Sequence, residues 1–145
     1  MRLKLFLSAS ILFLCITVSM AQRLFTHPGS ILNAGDLKRI KQHVENQEEP
    51  WYESWLKMKT SAYGNCTRTA NPSTEIGGSN GNRQRASGDA YAALIEAIEW
   101  HITGQKRYAD HAVKLLSAWG NKVTTANAEL FQFPARTMSI AAEML

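Results

Sequence analysis

Apolar residues recur at three- and four-residue spacings along most of this chain, which predicts helices that each bury one face. Asn33 is a candidate N-cap with Asp36 three residues on, and Leu37, Ile40 and Val44 follow in helical register. Glu49-Pro50 restarts the chain with proline expected at a first helical position. Trp51, Trp55 and Met58 then share a face, with Tyr52 and Leu56 alongside. Ser87 is the expected cap of a third helix, with Asp89 in its first turn and Tyr91, Leu94, Ile95, Ile98 and Ile102 as its stripe. Gly104 ends that helix. Tyr108, Ala112, Leu115, Leu116 and Trp119 form the matching face of the next one, which Gly120 closes. So short a link between two amphipathic helices predicts an antiparallel helical hairpin. Phe133-Pro134 opens a last helix, with Met138, Ala141, Ala142 and Leu145 in register. No segment reads convincingly as a strand, so the expected class is all-α.

Two stretches break the pattern. From Leu5 to Val18 the chain is almost wholly apolar, preceded by Arg2 and Lys4 and followed by the small residues Ser19 and Ala21. This is the layout of an export signal, cleaved after Ala21, so residues 1–21 are set apart from the fold. At about 14 residues the run falls short of the roughly 20 that cross a bilayer, which disfavours an uncleaved anchor. The other break runs from about Tyr63 to Ala86, a Gly-, Asn-, Ser- and Thr-rich stretch carrying Arg68, Arg83 and Arg85 against Glu75. A connection of this length is generally either functional or disordered.

Charge and cysteine content narrow the picture only slightly. The chain has 16 basic and 12 acidic residues, and loss of Arg2 and Lys4 leaves 14 basic ones. That balance is compatible with an acidic partner. Without Lys/Arg blocks, nucleic-acid binding has little support. Removing the signal leaves Cys66 as the one cysteine, so no internal disulfide is expected and burial alone must stabilise the exported chain. The histidines show neither an H-x-x-x-H nor an H-E-x-x-H spacing, which argues against a zinc site and leaves His27, His101 and His111 as packing or surface residues. The last helix stops inside its apolar stripe at Met144-Leu145. The expectation is that residues 22–145 are the first part of a longer domain, the alternative being a terminus that frays.

The segment from Trp100 to Ala112, Trp-His-Ile-Thr-Gly-Gln-Lys-Arg-Tyr-Ala-Asp-His-Ala, resembles the W-x-I-T-G-x-x-x-Y-A-x-x-A helical hairpin of the alginate lyase family. The likeness continues through Leu115-Leu116-Ser117-Ala118-Trp119. His27-Pro28-Gly29 followed by Asp36-Leu37-Lys38-Arg39-Ile40 is similar to that family's opening. Glu49-Pro50-Trp51 matches its second helix, and Ala141-Ala142-Glu143-Met144-Leu145 a later one. The resemblance spans nearly the whole mature chain, although the glycine-stop hairpin also recurs in heparinase-like lyases and unsaturated glucuronyl hydrolases.

This resemblance implies an (α/α) toroid, present here as its first helical hairpins: an incomplete barrel around a cleft for an acidic, uronate-containing polysaccharide. The implied chemistry is β-elimination. A cationic or polar group neutralises the uronate carboxylate, a His or Tyr base removes the C5 proton, and a Tyr acid protonates the leaving oxygen. No organic cofactor is implied, nor a metal for this chemistry. The family's Asn-His pair is missing from these residues, so the catalytic set is expected downstream of Leu145 and the segment alone is expected to be inactive. By resemblance the long loop would act as a lid, making Asn80, Asn82, Arg83 and Arg85 binding candidates. Trp100, Gln132 and Arg136 join them as residues near the expected cleft. A disordered solvent loop is the competing reading. A non-catalytic helical glycan-binding protein, a toroid enzyme of the heparinase-like or unsaturated glucuronyl hydrolase type, and a helical-repeat interaction module remain alternative functions.

Overall fold

The structure is a computed structural model that describes residues 26–77 and 81–145. The predicted export signal and Asn80 lie outside the described residues. The chain is mostly helical: α1 (Ala34–Glu45), α2 (Trp51–Thr60), β1 (Glu75–Ile76), α3 (Asn82–Thr103), α4 (Lys106–Gly120), β2 (Thr125–Ala126) and α5 (Ala128–Glu143). Helix α3, with 22 residues, is the centre, and each of the other four helices packs against it. None of the described helices is long and apolar enough to cross a membrane.

Local chemistry accounts for several boundaries. The Asn33 side chain accepts from the Asp36 amide at 3.0 Å, and Asp36 accepts from the Asn33 amide at 3.2 Å, closing a reciprocal capping box on α1. Arg39 pairs with the same carboxylate at 2.8 Å, and these donors hold the Asp36 carboxyl below its ordinary range, the Asn33 amide contributing most. Gly104 takes a left-handed φ of 68°, which lets its amide reach the Trp100 carbonyl at 2.7 Å and stops α3. In α4 the buried residues are Tyr108, Ala112, Leu115 and Trp119, on the face that the periodicity predicts.

The start of α3 differs from expectation. The helix begins at Asn82, not after Ser87, entered through Gly81 at φ 73°. Arg83 and Arg85 are therefore helical, and Ser87 and Asp89 lie inside the helix rather than at its cap. Asn82–Arg85 is polar enough to read as loop, yet Arg and Gln favour helices. What fixes this turn is tertiary: Asn82 is buried, and Ala86 packs with Ile76 and Trp119. The expected stripe holds in part. Ile102 is buried and Leu94 and Ile98 pack against the core, but Tyr91 is 52% exposed, and the apolar positions buried completely are Ala86, Ala90, Ala92, Ala93 and Ala97, whose small side chains let neighbouring helices approach closely.

Four further expectations need correction. Pro50 occupies the N-cap of α2 rather than its first helical residue, and Gly120 is the last residue of α4, with Asn121 as its cap. Helix α5 starts at Ala128 and carries Pro134 inside it, where the ring is fully buried. The region after Tyr63 contains a strand: β1 pairs in parallel with β2, Glu75 opposite Thr125 and Ile76 opposite Ala126. Two-residue strands are too short to leave an alternating pattern in the sequence.

Three apolar clusters tie the helices together. One joins Ala92 and Ala93 of α3 to Ala112 and Leu115 of α4 and Ala141 of α5. Another joins Leu37 of α1, Ala97 of α3 and Met144 at the chain's end. Helix α2 buries no residue fully, but Trp51, Trp55 and Met58 share a face as expected. They line a hollow of about 210 Å³ with Ile40, Val44 and Ile98. Two of the segments carrying the sequence resemblance also meet. Glu143 accepts from the Gly29 amide at 2.6 Å and the Ser30 amide at 3.3 Å, and lies 3.1 Å from His27 Nδ1. Partial desolvation opposes ionisation of Glu143, but the Gly29 amide and the other donors together hold its carboxyl below the ordinary range.

Candidate functional site

A groove of about 400 Å³ opens over the first half of α3, lined by Tyr63, Arg83, Gln84, Ser87, Gly88, Tyr91 and Phe133. Arg83, Ser87 and Tyr91 fall at four-residue spacing and so share one flank of the helix. Tyr63 comes from the segment after α2 and Phe133 from α5. The three aromatic residues are unusually exposed for their size, Phe133 at 63%. Tyr63 and Tyr91 meet edge to face, 6.4 Å between ring centroids, and the Arg68 guanidinium lies 5.6 Å from the Tyr63 ring. A permanently cationic arginine among partly solvated rings is suited to a ligand with flat apolar faces and an anionic substituent.

Arg68 anchors this wall from behind. Its Nε donates to Asp89 Oδ1 at 2.5 Å, and Asp89 Oδ2 accepts from Trp119 Nε1 at 2.6 Å and the Asn71 amide at 3.3 Å. Asp89 is 2% exposed, and these three donors are what make a buried carboxylate tolerable there. Gly88 floors the groove because a Cβ at that position would overlap the Arg68 guanidinium.

The structure separates the predicted binding residues. Arg83 lines the groove. Asn82 is buried and accepts from Arg85, whose half-buried side chain is thereby turned to an internal partner. Gln132 is exposed on α5 next to Phe133, and Arg136 is exposed one turn further on. Trp100 is half-buried against the His101 ring, and 17 residues along α3 from Arg83 is about 25 Å. His101 fits the packing role expected of it, its Nε2 donating to the Met144 carbonyl at 2.8 Å. Tyr63, Gln84, Ser87, Gly88, Tyr91 and Phe133 were not legible as site residues, because each carried a helix-packing, capping or loop explanation in the sequence.

A second polar assembly lies inside the helix packing. Glu96 and Glu99, one turn apart on α3, are both fully buried, and each leaves its Oε1 without a hydrogen-bond partner. Trp55 Nε1 donates to Glu99 Oε2 at 3.1 Å. His111 of α4 lies with Nδ1 at 2.6 Å from Glu96 Oε2, while its Nε2 donates to the Arg68 carbonyl at 2.9 Å. Burial pushes both glutamic acids above their ordinary range, the His111 contact and then the Cys66 amide and thiol offsetting part of the rise at Glu96, and Trp55 part at Glu99. Cys66, at φ 57°, completes a cluster with Glu96 and His111 whose ligating atoms all lie within 4.8 Å of one another. Burial first, then the Glu96 charge, push the thiol up to about 11. This cluster leaves no local signature, since its members are 30 and 15 residues apart along the chain.

Comparison with known proteins adds no relative: no family model, no curated protein and no solved structure matches this chain.

Proposed function

We propose that the groove over the start of α3 binds uronate-containing polysaccharide, and that the chain is part of an exported polysaccharide lyase of the alginate-lyase type. The observation carrying this reading is the pairing of Arg83 with the exposed rings of Tyr63, Tyr91 and Phe133 in one groove. A uronate residue offers the complementary surfaces: a carboxylate for the guanidinium and an apolar sugar face for a ring. The order of segments resembling the alginate lyase family supports the same substrate class. In that reading α3 and α4 are one hairpin of an (α/α) toroid. The Glu96–His111 and Asp89–Trp119 contacts support it, because they step in opposite directions along the two helices. A non-catalytic glycan-binding role is the second reading, favoured by a groove whose described lining residues include neither histidine nor carboxylate.

Uronate oligosaccharides offered to the purified chain should bind, and Arg83→Ala should weaken that binding about tenfold, the loss of one charge-assisted contact. Undiminished affinity in Arg83→Ala would remove the groove from the account. Incubation of the natural protein with alginate and other uronate polymers separates the two readings. The lyase produces ultraviolet absorbance from a new C4–C5 double bond, and a binding protein does not.

A further inference from the structure

The cluster of Cys66, Glu96 and His111 has no part in the groove, and it combines three chemically distinct ligand types from three separate segments. Its histidine is already oriented. The Arg68 carbonyl accepts from His111 Nε2, which fixes the proton on that nitrogen and leaves Nδ1 facing the cluster. A backbone carbonyl holding the distal nitrogen is the usual support of a metal-binding imidazole. The cysteine is shaped by its own segment: Asn65 Oδ1 accepts from the Thr67 amide at 3.1 Å and the Thr67 hydroxyl at 2.6 Å, bracketing the left-handed Cys66. The carboxylate supplies the independent sign of a missing partner. Glu96 is fully buried, and its Oε1 makes no hydrogen bond of ordinary geometry, the Cys66 amide and thiol approaching the carboxyl only loosely, a costly arrangement for a packed interior.

We propose that Cys66 Sγ, Glu96 and His111 Nδ1 bind a zinc ion, pinning the segment around Cys66 to α3 and α4. A thiolate, an imidazole and a carboxylate together match zinc better than the hard cations calcium or magnesium, which take oxygen ligands. A tetrahedral zinc with bonds of about 2.0 to 2.3 Å spaces its ligand atoms roughly 3.3 to 3.7 Å apart, so the widest gap must close by about 1 Å, and the 2.6 Å contact of His111 with Glu96 Oε2 must open or Glu96 must ligate through Oε1. The half-buried Cys66 side chain is the member with room to make it. Three protein ligands leave the fourth position to water. On binding, the thiol proton and any proton shared by Glu96 and His111 pass to solvent, so affinity rises with pH. The site is independent of the glycan reading and stands or falls without it.

The purified chain, stripped with a chelator, is titrated with Zn²⁺ by calorimetry and with Co²⁺ as a spectroscopic probe. One equivalent of Zn²⁺ should bind, and Co²⁺ should give a thiolate charge-transfer band together with the strong visible bands of a tetrahedral ion. Cys66→Ser should abolish the charge-transfer band and weaken Zn²⁺ binding at least about tenfold. Glu96→Gln should weaken binding while keeping the band. Circular dichroism checks that both variants stay helical. No uptake by the folded chain, uptake without a thiolate band, or unchanged affinity in a folded Cys66→Ser overturns the proposal. The wild-type cobalt spectrum decides the matter even if a variant fails to fold.

Discussion

The two sides of α3 treat polar chemistry in opposite ways. On the groove side Arg83, Ser87 and Tyr91 line an open groove beside exposed rings. On the inner side Asp89, Glu96 and Glu99 are sunk among helices, where a carboxylate without partners is expensive. Asp89 has three donors, while Glu96 and Glu99 each keep an oxygen unpaired. The contrast separates a carboxylate that organises the fold from two that the fold leaves partly unsatisfied.

The sharpest break in that comparison comes from the satisfied member. Asp89→Ala leaves the Arg68 guanidinium and the Trp119 N–H without their acceptor, and the unfolding free energy should fall by about 3 kcal/mol. Urea denaturation followed by circular dichroism measures it. A loss comparable to an ordinary surface substitution would show that the Asp89 network contributes little.

Glu99 tests the other half. Its folded carboxyl lies above its unfolded value of 4.5, so between the two the folded state holds more protons. The stability attached to this group is therefore full below the unfolded value and is lost as pH rises through the folded one. Glu99→Gln keeps an oxygen for Trp55 and removes the charge. Its urea midpoint should exceed that of the wild type near neutral pH, with the difference fading as the medium is acidified towards about pH 4. A midpoint difference that does not vary with pH would place the cost of Glu99 in packing rather than ionisation.

The smallest effect on stability belongs to the groove. Tyr91→Ala removes a ring that is half exposed and should change the unfolding free energy by no more than about 0.5 kcal/mol. Its expected consequence is weaker retention of uronate oligosaccharide, seen as an earlier elution on an alginate column. A large stability loss with intact retention would make Tyr91 a packing residue after all.

Much of the helical frame was readable beforehand. The reciprocal cap of Asn33 and Asp36, the stop at Gly104 and the buried face of Tyr108, Ala112, Leu115 and Trp119 all rest on contacts within one helix turn or on a simple period. The errors cluster where local preference is weak. Asn82–Arg85 has no apolar period, and Pro134 would normally open a helix rather than lie within one. Of the predicted site residues that are described, Arg83 alone lines the groove. Its aromatic neighbours were hidden because a tyrosine at helical spacing looks the same whether it faces a core or a cavity.

By itself, the sequence determined which segments are helical over most of their length, because capping hydrogen bonds, glycine stops and apolar periodicity act over a few residues. Only the tertiary structure decided which face of α3 is core and which is groove. It also decided that Asp89 would meet Arg68 and Trp119, and that Cys66, Glu96 and His111 would converge. Those outcomes depend on how distant segments pack around a row of alanines, and a side chain's neighbours across such a packing leave no mark on its own stretch of chain.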